Sequence, residues 1–356
     1  MWRYDAMFPQ IYGIYQPVGD TIGPGGLVRA LRHAGPLLNI GRTMLAVSRP
    51  GAPLIQLTNP MNPLCAALAE LDGLTVYGVC HGVDDTERIF ANQLGVAPEQ
   101  VHVKAAGNNH FIFCTEITVD DETFTQERFP ELAPRLFDTP FREEVYRRFG
   151  GIVGNHSRHP IEFLPGFLTP EYEYGRAWGV PPLAEQIDPM LGVRHDAASQ
   201  QLEQALAQRE PIAWRTDRRL AGLTIDAEGW AEVGHTREDL DDFIVALAEG
   251  GDFFTHLNVA NEGAIAGVPA AYNVELPVMF TRGKMTRMPV RFNEAITAEI
   301  VRVGREQHLI AQACRAYDEE LLIEALSLDA LVANRDQATR LVREMVAFQR
   351  EYIPAA

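Results

Sequence analysis

Three short apolar runs, Leu54–Thr58, Thr75–Val79 and Val101–Ala106, alternate with segments that read as helices. Asn59-Pro60 stops the first run, and Pro63 to Leu71 reads as a helix with proline in its opening turn. Asp84 and Asp85 can cap a helix through Thr86–Leu94, with Gly95 just past its end. Strands that alternate with helices are joined by crossovers, which predicts an α/β fold with a parallel sheet. From Phe111 to Val119 the pattern changes to period two, which opens an antiparallel section. Residues 126–250 are mixed, with helical patterns near 196–209 and 237–250, and residues 251–285 are strand-like again. The tail is helical, with Leu341, Val342, Met345, Phe348 and Tyr352 on one apolar face.

The second run ends in Cys80-His81-Gly82 and the third in Gly107-Asn-Asn-His110. In open α/β sheets ligands bind at the carboxyl ends of strands, so the two ends are expected to meet. A thiolate and an imidazole suit a soft-to-borderline divalent metal, and two protein ligands leave positions open for substrate oxygens. The competing reading is a buried free cysteine beside a hydrogen-bonded histidine.

Charge and cysteine usage exclude other classes. The net charge of −17 argues against a nucleic-acid surface. Four cysteines, at positions 65, 80, 114 and 314, form no disulfide framework and point to a reduced, cytoplasmic protein. No apolar run reaches the roughly eighteen residues of a membrane helix, and no secretory signal is recognisable, so no membrane partner is expected.

Six motifs recur in order: Gly19-Asp-Thr-Ile-Gly-Pro-Gly-Gly-Leu-Val-Arg-Ala-Leu-Arg32, Asn59-Pro-Met-Asn62, Gly78-Val-Cys-His-Gly82, Gly107-Asn-Asn-His110, His159-Pro-Ile-Glu-Phe-Leu-Pro165 and Val274-Glu-Leu-Pro277. Together they resemble the family 4 glycoside hydrolases, the NAD- and manganese-dependent glycosidases. The resemblance implies an incomplete Rossmann-like domain over residues 1–110, related to the lactate and malate dehydrogenases. A substrate and dimerisation α+β domain over 111–356 follows, and the chain is expected to form a homodimer or homotetramer. Roughly the first ninety to a hundred residues of the family pattern, with the Gly-rich turn that holds the NAD pyrophosphate, have no counterpart here. Gly23-Pro-Gly-Gly26 is not preceded closely by a strand and is no substitute. Two readings follow. One is an active glycosidase needing NAD and a divalent metal; the other is a non-catalytic sugar-binding homologue. The chain as given is expected to bind NAD weakly or not at all.

The chemistry that the resemblance implies is redox-assisted elimination, an exception to the two-carboxylate rule of most glycosidases. NAD⁺ takes hydride from C3 of the sugar, C2–H becomes acidic, the aglycone leaves C1, water adds, and C3 is reduced again. Cys80 and His110 match the family's metal ligands for Mn²⁺ or another divalent ion, and His81 matches the group that protonates the leaving oxygen. Ser157 stands where members carry Asp or Tyr as the C2 base; His156 and His159 flank it, and His159 is the catalytic candidate. Glu162 shares a face with His159 if that segment is helical. It is expected to orient His159 and line the sugar site. Asp20 and Asn109 are further sugar-binding candidates, while Asn59 and Asn62 are placed at the cofactor, Asn59 also at the sugar. Asn108 occupies a position that is usually apolar, and Glu275 is expected as a buried partner for a basic group. Cys-His-Gly resembles members acting on unphosphorylated α-glucosides, α-galactosides or α-uronides. Arg158, Arg282 and Arg291 are the cations available to a uronate carboxylate.

Overall fold

The computed structural model describes residues 2–181, 183 and 240–353. The helical pattern near 196–209 and the start of that at 237–250 lie outside the described residues. In chain order the elements are α1 (Trp2–Met7), α2 (Gly23–Val47), β1 (Leu54–Gln56), α3 (Met61–Ala69), β2 (Val76–Gly78), α4 (Gly82–Leu94), β3 (Val101–Asn108), β4 (Phe111–Val119) and β5 (Glu122–Thr125). They continue with α5 (Phe129–Leu132), α6 (Pro140–Phe149), α7 (Leu240–Glu249), β6 (Phe253–Ala260), β7 (Asn273–Thr281), β8 (Lys284–Arg287), α8 (Glu294–Arg315), α9 (Glu319–Ser327) and α10 (Arg335–Gln349). Among the described residues no helix is long and apolar enough to cross a membrane.

The α/β class stands, but the sheet is mixed. One 8-stranded sheet runs β1-β2-β6-β7-β3-β4-β5, with β8 on β7. Among the described strands only β1 and β2 pair in parallel; β3 pairs antiparallel with β4 and β7, and β2 antiparallel with β6. The expected parallel neighbour of β2 is thus displaced. β6 and β7 register along eight residue pairs, from Phe253↔Phe280 to Ala260↔Asn273, and this hairpin is inserted between β2 and β3. Its pairing is long-range and leaves no trace in the local pattern of residues 54–110. The boundary expected at residue 110 falls at the tip of the β3–β4 hairpin, inside this continuous sheet.

One consequence of the insertion positions everything that follows. Gly78, Asn258, Glu275 and Gly107 lie in a single row across β2, β6, β7 and β3. β2 and β3 run in opposite directions and end at this row, so the turns after Gly78 and Asn108 are brought together. The two glycines are required by close approach. A Cβ on Gly78 would sit 2.7 Å from the Asn258 Cβ, and one on Gly107 (φ +150°) 2.4 Å from the Phe111 oxygen.

The helical layer packs around α2. Leu341, Val342 and Met345 of α10 join Leu27, Leu31 and Leu309 in one core, and Phe348 stacks on Tyr4 with ring centroids 4.0 Å apart. Tyr352 falls beyond the helix and is exposed. Arg142 of α6 is buried; its guanidinium donates to the Val153 and Asn155 carbonyls and pairs with Asp138 at 2.7 Å, which fixes the loop before His156.

Two buried acids, Glu306 of α8 and Asp329 beyond α9, lie side by side near the first turn of α2. Burial and their like charge push Glu306 well above the ordinary range, and burial pushes Asp329 up to about 6, against the nearby Arg302. The native pair retains protons that the unfolded chain releases, so this contribution to stability is lost as pH rises from the unfolded carboxylate range through the native values. Glu306→Gln should remove that loss. Its unfolding free energy should fall less between pH 5 and pH 8 than that of the wild type in denaturant titrations. An unchanged pH difference would contradict the assignment.

Candidate active site

Asn59, His81 and His110 directly follow, or lie within three residues of, the ends of β1, β2 and β3. They line one cavity of about 240 Å³ together with Trp2, Pro17, Val18, Asp20, Asn155, Arg158, His159 and Leu183. That volume sits below the roughly 300–1,000 Å³ of drug-sized pockets and suits a small ligand. Larger cavities of about 460 and 380 Å³ exist, but among the described residues Asp20, His110 and His159 are the one group of three whose ligand-type atoms all lie within 4.8 Å of one another. We assign the site by these converging donors, not by volume.

Each member is held by identifiable contacts. His110 has φ +65°, a left-handed conformation unusual for a side chain with a Cβ. Its ring meets that of His159 edge-on, centroids 4.4 Å apart, and its Nδ1 lies 3.0 Å from Thr21 Oγ1. Thr21 also donates to Asp20 Oδ1 at 2.8 Å, while Asn59 Nδ2 donates to Asp20 Oδ2 at 3.3 Å. Burial holds the His110 pKa below its ordinary value, with His81 and Arg158 acting in the same direction and Asp20 opposing. His159 is held down by burial first and then by His110 and Arg158. Both imidazoles are therefore neutral near pH 7, the state that offers a lone pair to a metal or a proton.

His81 caps α4, and its Nε2 is 3.5 Å from Asp85 Oδ2; His156 Nε2 approaches the same oxygen at 3.6 Å. A carboxylate between two imidazoles stabilises whichever carries a proton. His81 is half-exposed and lines the cavity.

Other expected site residues are placed differently. Cys80 lies outside the Asp20–His110–His159 group. It lines the 380 Å³ cavity, its thiol has the Asn109 side chain as partner, and burial with the nearby Glu275 raises its pKa. Asn109 does not line the site cavity: it is buried and donates to Glu275 Oε2 at 3.0 Å. The hydrogen-bond partner of Glu275 is thus the Asn109 amide and not the expected basic group. Asn62 is buried between helices, donating to Gln307 Oε1 at 3.0 Å. Ser157 Oγ is paired with Thr139 Oγ1 at 2.9 Å and does not line the cavity.

Glu162 does not reach the cavity either. It sits in a 3-10 turn after His159, and its Oε1 accepts the backbone N–H groups of Val18 at 2.5 Å and Gly19 at 2.9 Å. Burial pushes its pKa up to about 8 in spite of these donors. It thus ties the His159 segment to the loop bearing Asp20. Local pattern could not show this, because the partners are 144 and 143 residues apart. Of the three arginines singled out, Arg158 lines the cavity.

An α/β sheet with a pocket of neutral imidazoles and a carboxylate at its strand ends is the architecture of an enzyme, and comparison with known proteins agrees. The family 4 glycosyl hydrolase model matches residues 1–96, and that family's C-terminal domain model matches residues 105–332. An α-glucosidase of Erwinia rhapontici is 33% identical over 383 residues, covering 99% of this chain and 79% of the relative. An α-galacturonidase of Thermoanaerobacterium saccharolyticum is 26% identical over 381 residues, covering 98% of this chain and 76% of the relative. A 6-phospho-α-glucosidase from gut microorganisms, solved in complex with NAD and Mn²⁺, shares the fold with TM-score 0.67 at 18% identity, covering 99% of this chain and 78% of that one. The chain belongs to the family 4 glycosyl hydrolases, and it is a glycoside hydrolase.

Proposed function

We propose that this protein hydrolyses an unphosphorylated α-glycoside (a glucoside, galactoside or uronide), with a divalent metal such as Mn²⁺ and NAD as cofactors. The observation that carries the reading is the convergence of Asp20, His110 and His159 in one small cavity. A carboxylate and a neutral imidazole suit a borderline-to-hard divalent ion, so the donor set fits the metal. Asp20 and His110 would hold it. The ion supplies Lewis acidity toward sugar oxygens.

The fit to NAD is incomplete. Asn59, whose buried Oδ1 has no hydrogen-bond partner, is the residue that the cavity offers to the cofactor. Among the described residues no glycine-rich turn follows a strand to cradle a pyrophosphate. The glycines of Gly23–Gly26 serve packing: a Cβ on Gly25 would lie 2.4 Å from the Gly19 oxygen, and one on Gly26 2.7 Å from the Thr21 carbonyl carbon. When bound, NAD⁺ supplies hydride acceptance at C3.

The chain's own residues supply the proton chemistry. His159, neutral and beside His110, accepts the C2 proton. His81, backed by Asp85, gives a proton to the leaving oxygen. Arg158 at the cavity wall is the group that a uronate carboxylate would meet. The supporting relatives are named as an α-galacturonidase and an α-glucosidase.

The reading has an isotopic signature. Turnover in D₂O with NAD⁺ and Mn²⁺ should place deuterium at C2 of the product sugar, because the abstracted proton exchanges with solvent. Product protonated at C2 would contradict it and leave direct hydrolysis.

A further inference from the structure

We propose that Thr21 is a positioning residue that fixes the tautomer of His110 and the orientation of Asp20. The inference rests on the metal reading above, but it starts from a count of hydrogens. Thr21 Oγ1 lies 2.8 Å from Asp20 Oδ1 and 3.0 Å from His110 Nδ1, and a hydroxyl has one proton to give. The carboxylate can only accept, so the Thr21 proton goes to Asp20. The remaining lone pair of Thr21 must then meet an N–H, which puts the proton of the neutral His110 ring on Nδ1. The Nε2 lone pair is left for a ligand. The result is a directed chain, His110 Nδ1–H to Thr21 O–H to Asp20, linking the two proposed metal ligands through one buried hydroxyl.

Thr21 is held firmly enough for this role. It is buried just before α2, and α2 packs so closely on it that a Cβ on Gly26 would sit 2.7 Å from the Thr21 carbonyl carbon. Upstream, Glu162 takes the Val18 and Gly19 N–H groups, and Gln16 both donates to the Ile22 carbonyl at 2.9 Å and accepts from Gly25 N at 3.1 Å. A β-branched side chain adds a stiff χ1, so the hydroxyl has little freedom to point elsewhere. Val18, Gly19 and Gly25 thus set the frame, and Thr21 transmits it to the ligand atoms.

The test compares Thr21→Val, which keeps the shape and removes the hydroxyl, with Thr21→Ser, which keeps the hydroxyl. Imidazole nitrogen NMR shifts on the histidine-labelled full chain read the tautomer without metal; Mn²⁺ titration reads affinity. The wild type should show His110 protonated at Nδ1. Thr21→Val should lose that single tautomer and bind Mn²⁺ about 10–100-fold more weakly, the usual cost of removing a residue that orients a ligand, whereas Thr21→Ser should stay within about threefold. If Thr21→Val does not fold, Thr21→Ala is read in its place. Thr21→Val with the Nδ1–H tautomer and unchanged Mn²⁺ affinity would overturn the proposal. A wild type that binds no Mn²⁺ would defeat the metal reading instead, while the tautomer comparison would still decide the role of Thr21.

Discussion

His110→Ala should abolish the rise in melting temperature that Mn²⁺ gives and lower kcat/KM by about a thousandfold or more. The magnitude follows from the Lewis acidity at stake, several kcal/mol of transition-state stabilisation, at about 1.4 kcal/mol per factor of ten. Two features make this residue harder to replace than Asp20 or His159. Its backbone is held at φ +65°, beside Asn109, whose side chain is tied to the buried Glu275. Its ring also touches both other members of the group, His159 directly and Asp20 through Thr21. Alanine retains the backbone and removes only the donor, so folding should survive. A variant that keeps the full Mn²⁺ response in thermal melts would exclude His110 as a ligand.

The second large effect is at His81. General-acid assistance contributes about 10²–10⁴-fold, and its value depends on how badly the leaving oxygen needs a proton. His81→Ala should therefore slow turnover of alkyl glycosides about 10²-fold or more and of activated aryl glycosides by less than about tenfold. Asp85 Oδ2 lies 3.5 Å from His81 Nε2, and the variant removes the ring and leaves that carboxylate in place. Equal losses on both substrate types, measured as kcat/KM, would assign His81 to binding.

The parts of the site that were legible in the sequence are those carried by local punctuation. Asn59, His81 and His110 each follow a short apolar run, and the run-then-turn pattern placed them at strand ends. His159 and Asp20 entered through ordered motifs and do line the cavity. What local pattern could not carry was the partner of a buried polar group. Glu162, Asn62 and Asn109 look like site residues because they are polar within conspicuous motifs. In the fold each has a distant partner: the backbone amides of Val18 and Gly19 for Glu162, Gln307 for Asn62, and Glu275 for Asn109. The same holds for the sheet. Period-two and apolar-run signals found β1 to β4 and marked residues 251–285 as strand-like, but the order β2-β6-β7-β3 depends on a hairpin contributed from residues 253–281. Its insertion brings the oppositely directed ends of β2 and β3 to one row, and the site is assembled there. Thr21 gave no sequence signal of its own; only the two distances to its hydroxyl reveal it.

The proposed divalent metal among Asp20, His110 and His159 is open to anomalous diffraction at the manganese edge, from crystals of the full chain equilibrated with Mn²⁺. A single strong peak bonded to the Asp20 carboxylate and the His110 imidazole is expected. No peak in that cavity, or a peak bonded to other side chains, would rule the metal site out.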